Sequence, residues 1–122
     1  MSYEILDDAI TRLRPLIRGS NLEQQLTIYK SQQNNQLLDE LTGAAIQFEV
    51  KKSFDSGLIF EKKNQIAGGS DDQISILDSS NLSIFYEPED TQNLPVFLYS
   101  CILTITTTAG KIYKHYFKLP II

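Results

Sequence analysis

The chain has 122 residues, 42% hydrophobic and 21% charged, ordinary globular usage that argues against disorder or a fibrous repeat. One domain of this length buries roughly two-thirds of its unfolded surface, enough for a core without metal or disulfide staples. Eleven basic against fifteen acidic residues leave a net charge of −4, which disfavours a dedicated nucleic-acid ligand; one cysteine and one histidine exclude an internal disulfide and a Cys/His zinc site.

No stretch approaches the ~18 uninterrupted apolar residues of a membrane span. The start, Met-Ser-Tyr-Glu-Ile-Leu-Asp-Asp, is acidic where a signal peptide is basic. The expectation is a protein made in a reducing cytoplasm and used or assembled there, with no membrane partner.

Residues 2 to about 18 place Ile5, Leu6, Ala9, Ile10, Leu13, Leu16 and Ile17 at spacings of one, three and four, which predicts an amphipathic helix. Ser2 is its N-cap, Glu4, Asp7 and Asp8 suit its start, and Arg12, Arg14 and Arg18 suit its end. Pro15 shortens or kinks it, and Gly19 closes it. Residues 1–20 are therefore read as a helical element ahead of a β domain over 21–122.

From residue 22 the period becomes two. Leu26 and Ile28 mark a first strand; Ala44–Lys52 puts Ile46, Phe48 and Val50 on one face against Gln47, Glu49 and Lys51. Gly57–Glu61 is a short strand. Gln73–Leu77 and Leu82–Tyr86 flank the turn Asp78-Ser79-Ser80-Asn81. Pro88–Asn93 is a helical turn or loop, and Phe97–Thr107 pairs with Lys111–Leu119 around Thr108-Ala109-Gly110. About seven short strands with regular turns predict a mainly β chain, an antiparallel β-sandwich preceded by one helix. Its predicted core is Leu26, Ile28, Ile46, Phe48, Val50, Ile74, Ile76, Ile84, Tyr99, Cys101, Leu103, Ile105, Phe117 and Leu119.

Residues capable of chemistry are sparse. His115, in Tyr113-Lys114-His115-Tyr116-Phe117, has no nucleophile or orienting acid nominated by the sequence and reads as a partly buried strand histidine. Cys101 lies among Tyr99, Leu103 and Ile105 and reads as a small core hydrophobe. Asp39-Glu40, Asp71-Asp72 and Glu87 to Asp90 lack the ligand ladder of a calcium loop and read as solvated turns. Gly68-Gly69-Ser70 launches no helix and has no Lys-Ser/Thr partner, so it is not a phosphate loop. Lys51-Lys52 and Lys62-Lys63 read as charged strand ends that blunt sheet edges. No catalytic residue, cofactor site or metal site is assigned, and no enzyme is expected.

Leu38-Asp39-Glu40-Leu41-Thr42-Gly43 followed by the strand Ala44–Lys52 resembles the opening of small β-sandwich modules in tailed-bacteriophage structural proteins. Gln73-Ile74-Ser75-Ile76, Leu82–Tyr86, the corner Glu89-Asp90-Thr91 with Leu94-Pro95, the strand Tyr99–Ile105 and the hairpin at Gly110-Lys111 continue the same order. Two departures stand out: Val96-Phe97 occupies a place where such modules carry glycine, and the N-terminal helix is extra. The resemblance implies a non-enzymatic virion component made in the host cytoplasm, such as a head–tail connector, baseplate or capsid accessory protein. Its partners would be other phage structural proteins and copies of itself in a symmetric oligomer.

The helix arginines beside an apolar stripe have the composition enriched at interfaces, although the stripe could equally cover the sandwich itself. Pro120 cannot donate to a sheet ladder, so Ile121 and Ile122 are expected to leave the last strand and either dock on a neighbour or fold back. The interface residues assigned are Arg12, Arg14, Arg18, Ile121 and Ile122. The alternative function is a carbohydrate-binding sandwich using Tyr29, Tyr113 and Tyr116.

Overall fold

The computed structural model describes residues 11–30 and 36–122. Its elements in chain order are β1 (Thr11–Arg12), β2 (Leu22–Thr27), β3 (Ala45–Lys51), β4 (Leu58–Lys63), β5 (Ile74–Ile76), β6 (Asn81–Tyr86), α1 (Pro88–Thr91), β7 (Phe97–Thr106) and β8 (Ile112–Ile121). They form a five-stranded sheet, β1-β8-β7-β3-β4, and a three-stranded sheet, β2-β6-β5. Seven of the strands pair antiparallel, where period-two alternation and turn residues predicted them.

Strand parity builds the core. Ile46, Phe48 and Val50 on β3, Tyr99, Cys101, Leu103 and Ile105 on β7, and Phe117 and Leu119 on β8 face inward from the large sheet. Ile74, Leu82, Ile84 and Tyr86 belong to the same cluster from the small one. Each such side chain contributes about 1.5–3 kcal/mol by leaving water. Of the predicted core, Leu26 and Ile76 are only partly buried; the rest is buried.

The N-terminal helix is a correction. Residues 1–10 lie outside the described residues, and 11–18 are not helical. Thr11 and Arg12 pair parallel with Phe117 and Lys118 at the edge of the large sheet. Leu13 donates its N–H to the Lys118 carbonyl (2.7 Å). In a regular parallel ladder, residue 120 would next donate to the carbonyl of residue 13, and residue 15 to that of residue 120. Both are prolines and have no N–H. Pairing resumes one residue late, with Leu16 donating to the Pro120 carbonyl (2.9 Å) and Ile122 to the Leu16 carbonyl (3.0 Å). The inserted residue lets Leu13 and Leu16 both face the core, a spacing of three that imitates a helix. The Arg14 carbonyl is taken by the buried Gln24 amide (2.8 Å), whose oxygen accepts the Tyr86 hydroxyl (2.9 Å).

The expectation for the C-terminus is corrected by the same geometry. Even-numbered positions of β8 aim their backbone groups at β1, so Pro120 removes no bond from the β7–β8 ladder. Strand β8 runs on to Ile121, which is fully buried opposite Phe97.

A buried polar corner fixes the junction of the sheets. Lys62, expected at a solvated strand end, is 6% exposed and pairs with Asp90 of α1 at 2.6 Å. Asp90 also accepts the Glu87 N–H (2.7 Å), closing a capping box. The Tyr99 hydroxyl donates to the Pro95 carbonyl (2.7 Å) and holds the 95–97 approach to β7. Gly69 is required by space: a Cβ there would stand 2.1 Å from the Lys63 carbonyl oxygen.

Candidate functional site

One end of the sandwich, where β7 begins and β8 finishes, gathers large apolar side chains in water. Ile17 is 63% exposed, Val96 58%, Phe97 42% and Ile122 56%. Ile17, Phe97 and Ile122 are held by structure behind them. Ile122 donates to Leu16 and Arg18 donates to the Ile122 carbonyl (2.9 Å), which sets Ile17 beside Ile122. Gly19, at φ +75°, turns the chain there and donates to the buried Thr91 hydroxyl (2.9 Å). Phe97 packs edge-on against Tyr99 with centroids 5.3 Å apart.

Two cations border this apolar end. The Arg18 guanidinium donates to the Leu94 carbonyl (3.2 Å), and the Lys52 ammonium sits 5.2 Å from the Phe97 ring centre. Of the five assigned interface residues, Arg18 and Ile122 fall here. Arg12 and Arg14 are exposed further back along the edge, Arg14 donating to the Glu23 carbonyl (3.2 Å), and Ile121 is in the core. Ile17, Val96 and Phe97, which complete this end, were not among the assigned residues.

A groove of about 490 Å³ lies on the other side of the Arg18–Gly19 turn, starting at Asn21. It is lined by Leu22 and Phe85 and by the carboxylates of Glu23, Asp71, Asp72 and Glu87. The Ser83 and Gln25 side chains donate to Glu23 and hold its carboxyl below the usual range. Among the described residues, no three His, Cys, Asp or Glu side chains converge to hold a metal ion.

The remaining candidates are placed as follows. His115 is buried, with Nε2 2.7 Å from the Tyr29 carbonyl oxygen and its ring stacked on Phe117. The carbonyl accepts, so Nε2 carries the proton, and Nδ1 finds no partner among the described residues. Burial lowers the imidazole pKa, partly opposed by the Tyr29 carbonyl. Cys101 is fully buried, and burial pushes its thiol far up, which leaves no thiolate to react. Glu40 accepts from Tyr113 (3.3 Å) and faces Lys111 at 3.9 Å. Tyr113 and Tyr116 sit on opposite faces of β8, and Tyr116 packs against Phe54, so the three tyrosines proposed for sugar stacking share no platform.

A scan against protein-family models and a search of curated proteins gave no match to the chain.

Proposed function

We propose that this protein is a non-enzymatic assembly module, a tailed-phage virion component that docks through the apolar end formed by Ile17, Val96, Phe97 and Ile122. The carrying observation is that Ile17, Phe97 and Ile122 stand in water on backbone tied into hydrogen bonds and sheet pairing rather than on a loose tail, with the exposed Val96 next to Phe97. Apolar residues bordered by two cations match the anchors and rim of a protein interface. The strand order supports a recognition role as well. β8-β7-β3-β4 facing β2-β6-β5, with a tyrosine hydroxyl bonded four residues upstream at the start of β7, is similar to the strand order and tyrosine corner of variable-type immunoglobulin sandwiches. That fold hosts binding on many surfaces and does not by itself choose one. The virion assignment rests on the sequence resemblance over residues 37–119.

The test is incorporation of an Ile17→Ser/Ile122→Ser variant into particles. Both residues are exposed, so the melting temperature should stay near that of the wild type. The variant should fold and be excluded from particles; normal incorporation would overturn the reading.

A further inference from the structure

Resting on that docking reading, we infer that the partner of the apolar end is a second copy of this chain, related by a two-fold axis. The cationic apolar end and the acidic groove are complementary in charge and both carry apolar residues: Ile17 and Ile122 on one, Leu22 and Phe85 on the other. Among the described residues, neither Arg18 nor Lys52 has an ion-pair partner, and neither does any of the groove carboxylates Glu23, Asp71, Asp72 and Glu87. Among the described residues, no basic side chain lines the groove.

The two surfaces are neighbours, since Ile17 and Asn21 flank one turn. Neighbouring complementary patches become self-complementary about a two-fold axis between them: each copy's end covers the other's groove, and every contact is made twice. The apolar side chains leave water at the centre. The charges select the partner and the orientation, and they weaken with salt.

Sedimentation equilibrium of the full chain over a wide concentration range, at low and high salt, tests this with Arg18→Glu and Asp72→Lys. Both positions are exposed, so both variants should fold. The wild type should form a dimer that salt weakens, and each reversal should raise its dissociation constant by about tenfold or more. An equimolar mixture of the two variants should recover wild-type association. In the mixed pair the reversed end meets the reversed groove, while the unaltered end meets the unaltered groove. A wild type monomeric at every concentration, a dimer indifferent to both reversals, or a mixture no tighter than its components would overturn the inference. If the wild type is monomeric while Ile17→Ser/Ile122→Ser is still excluded from particles, the second-copy assignment falls alone; if that variant also enters particles, both fall.

Discussion

Pro15 and Pro120 face each other across the edge of the large sheet, at the two places where a regular parallel ladder needs a donor. Their coincidence forces the one-residue shift that turns Leu13 and Leu16 together into the core. Residues 11–16 thus form a structural edge of the large sheet. Removing residues 1–19 should abolish cooperative melting, and Leu16→Ala alone should cost about 2–5 kcal/mol in urea unfolding. A truncated protein that keeps its near-UV signal and a sharp melt would show that the edge is dispensable.

Lys62 and Asp90 should behave as a coupled pair. Asp90→Ala leaves a nearly buried ammonium without its partner and should cost about 3 kcal/mol. Lys62→Met/Asp90→Asn should recover most of that, because no charge is left stranded and the amide can still accept the Glu87 N–H. A double-mutant cycle with no coupling in denaturant unfolding would contradict the burial of the pair.

Two glycines should differ in what they tolerate. Gly69→Ala drives a methyl into the Lys63 carbonyl and should destabilise by more than about 2 kcal/mol, whereas Gly57→Ala meets nothing within 4 Å and should stay within about 0.5 kcal/mol of the wild type. Comparable melting temperatures for the two variants would refute the close approach.

His115 gives stability a defined pH dependence. Its folded pKa lies below the ordinary 6.5, so the unfolded chain binds the proton more readily. The contribution is complete above 6.5, is lost as pH falls from there toward the folded pKa, and then levels off. The difference in unfolding free energy between about pH 7.5 and about pH 5 should shrink in His115→Leu. An unchanged difference would mean that the imidazole titrates normally in the fold.

Cys101 should ignore thiol reagents in the native protein and label only at the rate of unfolding, because its thiol is buried and far from ionisation. Rapid labelling of the folded chain would contradict the core position.

The seven antiparallel strands were legible because alternation and turn residues act locally: Ile46, Phe48 and Val50 can lie on one face only if the chain is extended. The edge strand was not, since its inward spacing of three arises from two prolines more than a hundred residues apart. Lys62 was misread because its partner is supplied by the distant α1. The exposed apolar end, the proposed docking surface, was only partly visible in the sequence. Arg18 and Ile122 were assigned, while Ile17, Val96 and Phe97 join them only through the contacts of residues 16–19 with 91–94 and 122.

The most direct measurement is photocrosslinking from a benzoylphenylalanine placed at Val96 in assembled particles, with Thr27, exposed on the outer face of β2, as the control site. Docking through the apolar end requires an efficient crosslink from position 96 and none from position 27. Particles that contain the protein yet give no crosslink from 96, or equal yields from both sites, would contradict it.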